Sequence, residues 1–342
     1  MDIFETRNFI APYLVYAWGD LPLFTEILTT FVTLLINITK LTNSVIRHDK
    51  MRDFLEQIKT DYDTPQDDFE AKIYKRYADR TRKFSIGYAV WCHASFSLYI
   101  IGPFLNHTEE RPFPGHTKYP LDEDKYYWFI VSHQSICTFT VSAITAAVDA
   151  LFVMLVHHIC AKFAVLGYNL EKIGEDLSES PSAQDELETY KKIVNCVKKH
   201  KEAIGFADSM ESAFSIPTFI NLTMNMIVMS TSGFVMLANV HSIPNLVKYI
   251  GLSVTLTVHL FFMSWPAQEM MDHSAEICEF AYFASWYRTS QRSKNLLKFL
   301  MMRSQVPCKL TTGKLYVMSL ENFCAVLKTS MSYFTVLKSL RD

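Results

Sequence analysis

Few residues of this chain stand at spacings suited to covalent or metal chemistry. Its seven cysteines, Cys92, Cys137, Cys160, Cys196, Cys278, Cys308 and Cys324, form no CxxC pair and no metal-type spacing. His157 and His158 are adjacent, so they face different ways on a helix, and no carboxylate follows four residues later. They read as a lipid-facing or interfacial pair. No nucleophile elbow surrounds any serine, so the expectation is a protein that is not an enzyme and takes no cofactor or metal. The chemistry is of another kind: single charges set into apolar stretches. Lys40, Asp149, Glu321 and Lys328 all lie in such stretches.

The last of these stretches, residues 315–340, has the length of a membrane-spanning helix, about 20 residues for a hydrocarbon core of ~30 Å. Glu321, Lys328 and intervening Ser, Thr and Asn give it a polar face, and it ends in Tyr333, Phe334, Val336, Leu337 and Leu340. Val336 and Leu340 are four apart and stack on one helix face. A half-polar span that finishes in an apolar stripe suits a helix lining a water-filled path and closing it. A helix packed inside a bundle with its polar groups paired would read the same way by composition.

The elements that must position these residues follow from segregation of charge. The chain has 342 residues, 49% of them hydrophobic and 14% aromatic, with a net charge of −2. No basic field invites nucleic acid. Its mean hydropathy of +0.08 is an average over uncharged windows of 18 or more residues and charged segments between them. That is a polytopic, all-α membrane bundle. Full spans are expected at 27–46, 84–105, 128–157, 213–238, 249–266 and 315–340. Residues 9–18 are apolar but too short to cross a bilayer, and no cleavable signal peptide is evident. Lys40 is close enough to the end of its span to snorkel, and the span holding Asp149 is expected to run on past the membrane. Leu187, Tyr190, Val194, Val197 and Ile204 recur at helical spacing, as on an amphipathic helix packed against a partner.

Loops 47–83, 158–212 and 267–314 carry the Lys/Arg excess, which makes them cytoplasmic and leaves the C-terminus outside. The sequon at Asn106 falls in an external loop and is the expected glycosylation site, whereas those at Asn37 and Asn221 fall inside spans. Two regions result: a transmembrane ligand-binding bundle over 1–266, with cytoplasmic loops 47–83 and 158–212, and a cytoplasmic anchor segment with the last helix over 267–342. In this orientation Phe31, Ser95, Phe96, Tyr99, Trp128, Ser132, Ile136, Tyr249 and Ser253 lie in the outer leaflet. Aromatic walls with few hydrogen-bonding groups suit a small volatile or lipophilic ligand. Interhelical packing is the plain alternative for any one of them. Asp79-Arg80 resembles the Asp/Glu-Arg-Tyr signature of G-protein-coupled receptors, but it precedes a span and is followed by Thr81. An external C-terminus excludes that family as well.

From Trp286 onward the chain resembles the insect odorant receptors. The pieces are Trp286-Tyr287, Met302-Arg303-Ser304-Gln305 with Pro307, Leu310-Thr311 with Gly313-Lys314, Ser319-Leu320-Glu321, Lys328-Thr329-Ser330 and Ser332-Tyr333-Phe334-Thr335, in that order. Span placement and long internal loops match more loosely from about residue 19. The family has seven spans and an internal N-terminus, so the resemblance implies a first span reduced here to about 9–18, as in a fragment, splice form or truncated gene model. It further implies an odorant-gated, non-selective cation channel in the plasma membrane of olfactory sensory neurons. Four subunits, this receptor with an obligate co-receptor, would surround one pore and respond to a small volatile ligand. By motif, Val336 and Leu340 match the hydrophobic gate, while Lys328, Tyr333 and Ser339 belong to the pore or a subunit junction. A transporter of small lipophilic molecules would call for internal repeats or matched broken helices, and neither is evident. A non-conducting truncated receptor is the third reading.

Overall fold

The computed structural model describes residues 21–64, 67–105, 113, 119, 121–175, 177, 181–238 and 243–341. Eight α-helices account for nearly all of them: α1 Leu21–Ile46, α2 His48–Asp63, α3 Asp68–Leu105, α4 Tyr127–Glu171, α5 Ala183–Ala238, α6 Ile243–Phe283, α7 Gln291–Ser304 and α8 Leu320–Arg341. A 3₁₀ turn, Trp286–Arg288, follows α6, and a small antiparallel hairpin, β1 Thr311–Thr312 with β2 Tyr316–Val317, precedes α8. The all-α reading of the sequence holds. Helices α3 to α6 are each long and apolar enough to cross a membrane. Helices α1 and α8, at 26 and 22 residues, have the length to cross as well.

Short polar side chains cap the helix starts. The Asp67 carboxylate accepts from the Phe69 and Glu70 amides at 2.9 and 2.7 Å, opening α3. Ser182 and Asp185 form a reciprocal box at the start of α5: the hydroxyl accepts from the Asp185 amide at 3.2 Å, and the carboxylate accepts from the Ser182 amide at 2.9 Å. Ser319 caps α8 by accepting from the Asn322 amide. The last span therefore begins at residue 320, not 315. Residues 311–317 turn back on themselves because Gly313 and Lys314 both take positive φ, 59° and 58°, the pattern of a primed turn. Any Cβ at position 313 would meet the Phe219 ring at 2.9 Å, so glycine is required for the hairpin to lie against α5. There the Gly313 amide donates to the Ser215 hydroxyl at 2.9 Å.

Charged loops in the sequence are mostly helix. At 1.5 Å per residue, α4 is about 68 Å long and α5 about 84 Å, so both run far beyond a bilayer. The span ending at Pro266 likewise continues as helix to Phe283. The best-packed core lies in these extensions. Val153, Leu155, Val156, Ile159, Cys160, Phe163, Leu166 and Leu170 of α4 are fully enclosed, as expected of a helix apolar on every side. Around them stand Ile193, Ala203 and Met210 of α5, Met270, Ile277 and Ala281 of α6, and Leu297 and Leu300 of α7. The amphipathic segment of α5 is present, but its buried face is Ile193, Cys196, His200, Ala203, Ala207 and Met210. Leu187 and Val194 are exposed, while Val197 and Ile204 pack against the core, so the expected stripe is partly rotated.

Candidate functional site

Helix α8 presents one long side to no other described part of the chain. Ala325, Thr329, Ser332 and Val336 are exposed at helical spacing, flanked by Lys328 and Ser339, which are exposed too. Val326 and Ser330 are buried, Val326 packing with Leu222 of α5, Leu260 of α6 and the half-buried Phe323. The exposed side is thus a file of small polar groups with an apolar residue, Val336, toward its outer end. The side chains of Tyr333 and Leu340, and the sequon at Asn106, fall outside the described residues.

Inside the bundle a polar chain joins five helices. The Lys40 ammonium of α1 donates to Asp149 Oδ1 of α4 at 2.7 Å, with both side chains buried. Tyr88 of α3 donates its hydroxyl proton to Asp149 Oδ2 at 2.9 Å. His259 Nδ1 of α6 lies 2.7 Å from the same Tyr88 oxygen. His259 Nε2 is 3.0 Å from Asn221 Nδ2 of α5, and Asn225 Nδ2 reaches Asn221 Oδ1 at 3.3 Å. One proton arrangement satisfies every link: neutral His259 carries its proton on Nδ1, gives it to Tyr88, and accepts from Asn221 on Nε2. All donors then point toward Asp149, and the chain is polarised end to end. Lys40 does not snorkel, because a carboxylate waits for it across the bundle. Tyr88 and His259 were not singled out in the sequence; the only signal available was one polar residue per apolar span.

The outer-leaflet candidates divide into two groups. Tyr249 of α6 is buried, Ser95, Phe96 and Tyr99 of α3 are half-buried, and so is Ser253 of α6, which shares a 3.1 Å hydrogen bond with Ser232 of α5. The outer ends of α3 and α6 meet where the Lys248 ammonium lies 5.7 Å from the Tyr99 ring centre. Trp128, Ser132 and Ile136 form one exposed stripe on α4, and Phe31 of α1 is also exposed. Helix α4 instead turns Tyr127, Ile130, Val131 and Gln134 inward. Those four candidates therefore sit on the outside of a single chain, away from the α3–α6 group.

At the far end of the bundle the two adjacent histidines are buried, 2% and 3% exposed, and do not face lipid. His157 Nδ1 is 2.8 Å from the Thr81 hydroxyl, and His158 Nε2 is 2.9 Å from Asp61. Burial holds the His158 ring below its ordinary pKa despite Asp61. Burial works against the Asp61 carboxylate, but hydrogen bonds from His158 and Lys162 outweigh it and hold the carboxylate below its usual range. Lys162 donates to it at 2.5 Å. The pair is buried instead because α2, in a segment expected to be a cytoplasmic loop, packs there and brings Asp61 to it. Among the described residues no group of three or more His, Cys, Asp or Glu is arranged to hold a metal ion.

The family model described as 7tm Odorant receptor matches residues 20–331. The chain belongs to the 7tm odorant receptor family. Similar members include Odorant receptor 13a of Drosophila melanogaster, 22% identical over 98% of this chain and 84% of that one. Odorant receptor 10 of Aedes albopictus is 22% identical over 94% of this chain and 86% of its own length. The solved olfactory receptor OR5 of Machilis hrabei, in complex with eugenol, superposes with a TM-score of 0.83 at 13% identity, covering 98% of this chain and 86% of that one. The odorant receptor described here therefore has the fold of that helical membrane receptor, and it is a multi-pass membrane protein of a receptor family.

Proposed function

We propose that this odorant receptor is the ligand-tuning subunit of an odorant-gated, non-selective cation channel. It works in a hetero-tetramer with an obligate co-receptor, in the plasma membrane of olfactory sensory neurons. The observation that carries the reading is the bare side of α8: Ala325, Thr329, Ser332 and Val336 are exposed among the described residues. Small hydroxyl side chains there suit a wet path, and an apolar ring at its end suits closure, since an ion entering a dry constriction loses hydration that nothing replaces. Val336 and Leu340 form that gate. Lys328, Tyr333 and Ser339 border the pore or the subunit junction. Residues 1–266 hold the odorant, and 267–342 anchor the subunits and line the pore. A small volatile ligand suits the α3–α6 group of Tyr99, Phe96, Ser95, Tyr249 and Ser253. The same fold in the Machilis hrabei receptor accommodates eugenol. Trp128, Ser132, Ile136 and Phe31 would meet ligand only from the lipid or a neighbouring subunit. Glycosylation at Asn106 completes the external face.

The test is current recording from cells expressing the receptor with and without the co-receptor, comparing wild type, Leu340→Asn and Leu337→Asn. Leu337 is rotated about 100° from Val336 and serves as the control. The expected outcome is odorant current only with the co-receptor, and a several-fold rise in current without odorant for Leu340→Asn alone. A silent baseline and unchanged dose response for Leu340→Asn at normal surface level would place the gate elsewhere.

A further inference from the structure

Among the described residues four buried hydroxyls have no hydrogen-bond partner, and two of the residues that carry them line the same space. Ser264 of α6 is 1% exposed and its Oγ is unpaired; the Tyr316 Oη of strand β2 is enclosed and unpaired as well. Both line a cavity of about 20 Å³ between α5, α6 and the hairpin, together with Asn221, Asn225 and His259 from the end of the polar chain. Leaving a buried hydroxyl unpaired costs about 1–3 kcal/mol, and two of them around one polar void call for an occupant. About 10–15 Å³ of such space is enough for one water, which takes two to four hydrogen bonds.

We infer that this cavity is an internal hydration site whose bound water joins the polar chain ending at Asn225 to Tyr316, at the root of the last helix. Its occupant is a neutral donor and acceptor of water size. A monovalent cation fits the chemistry poorly, because the one carboxylate in the chain, Asp149, is already paired with Lys40 at the opposite end. An organic ligand does not fit the volume. The water accepts from the Ser264 or Tyr316 hydroxyl and donates to the free lone pairs of its neighbours, so each orphan gains a partner. The consequence is a hydrogen-bonded path from α1, through α4, α3, α6 and α5, to the hairpin docked under α8. That hairpin is held by the Ser215 hydroxyl and leads directly into the Ser319 cap.

Radiolytic hydroxyl labelling in H₂¹⁸O, on the full-length chain in lipid nanodiscs, tests this directly. Radicals formed from a trapped water label the side chains that touch it even where bulk solvent does not reach. Met263 and Met318 line the cavity, whereas Met210 and Met270 are buried in the core and do not. The expected result is ¹⁸O incorporation at Tyr316, Met263 and Met318 at least about tenfold faster than at Met210 and Met270. Ser264→Val, which fills the space with methyl groups, should bring Met263 and Met318 down to the slow rate. Tyr316→Phe, which keeps the volume and removes one partner, should lower labelling of both methionines if the valine variant does not fold. Equal slow labelling of all four methionines in the wild type, or fast labelling that survives both substitutions, overturns the site.

Discussion

At the scale of single residues, the ion pair of Lys40 and Asp149 is the most consequential contact in the bundle. Both side chains are almost fully enclosed, and Asp149 also takes the Tyr88 hydroxyl. Removing one partner leaves a buried charge uncompensated, which costs about 3–5 kcal/mol, whereas replacing both with apolar groups can be neutral. Lys40→Met is expected to reduce surface delivery and thermal stability sharply. The double change Lys40→Met with Asp149→Leu should restore most of both. Surface biotinylation and a thermal aggregation assay read the two quantities, and a double variant no better than the single would show that the pair does not hold the helices together. The sequence displayed Lys40 and Asp149 as lone charges in apolar stretches, which is already a signal of function or pairing in a membrane. It did not display them as partners, because they are 109 residues apart and their meeting depends on the rotation of two helices. The same holds for His157 and His158, whose burial depends on how α2 packs against α4 and brings Asp61 to them.

At the scale of elements, the sequence marked where the apolar spans lie more clearly than how far their helices extend or which face they bury. Asp67, Ser182 and Ser319 are all N-cap residue types standing at transitions, and all three cap. The hairpin at 311–317 was absorbed into the last span because Leu315, Tyr316 and Val317 continue an apolar run. The turn signal, Gly313-Lys314, is only two residues long. On α5 the periodicity was right and the face is partly rotated: Val197 and Ile204 pack against the core, but Leu187 and Val194 are exposed where Cys196 and His200 are buried. His200 gives this face a pH dependence. It packs against Phe163 and is 5% exposed, and burial, aided by the positive charge of Arg303, drives its pKa down to about 4 from 6.5. With the folded value below the unfolded one, the neutral ring is favoured in the folded state. The stabilisation is complete above pH 6.5 and is lost as pH falls toward 4, amounting to about 2–3 kcal/mol across the window. His200→Phe should therefore flatten the acid limb of a melting-temperature profile between pH 6.5 and 4 while leaving the neutral value within a few degrees. An acid limb unchanged by the substitution would assign the loss to other groups.

At the scale of the whole molecule, the distribution of burial and of charge favours one orientation. If about 20 residues of each helix cross the bilayer, then more than half of α5's 56 residues and of α4's 45 lie outside it. The ends that protrude are the same ends for both: the C-terminal part of α4, the N-terminal part of α5, and beside them the lower parts of α3 and α6 with α2 and α7. That end holds the dry core around Phe163 and Leu166 and also the Lys/Arg-rich segments. By the rule that basic segments stay on the cytoplasmic side, the packed end is expected to be internal and the connections after α3 and after α5 external. The orientation has a chemical reporter in the three sequons. Asn37 is buried and its carbonyl accepts from Thr145 at 3.0 Å, and Asn221 is buried within the polar chain, so neither can present its amide to a glycosyl transferase. Asn106, just past the end of α3, is the site left on an external connection. A glycosidase-shift assay should show one glycan on the wild type and none on Asn106→Gln, while Asn37→Gln and Asn221→Gln leave the glycan count at one in whatever fraction matures. A glycan that persists in Asn106→Gln, or a tag inserted between α4 and α5 that antibodies reach on intact cells, would invert the receptor in its membrane. The external end of α8, and the gate placed there, would then have to be moved to the other side.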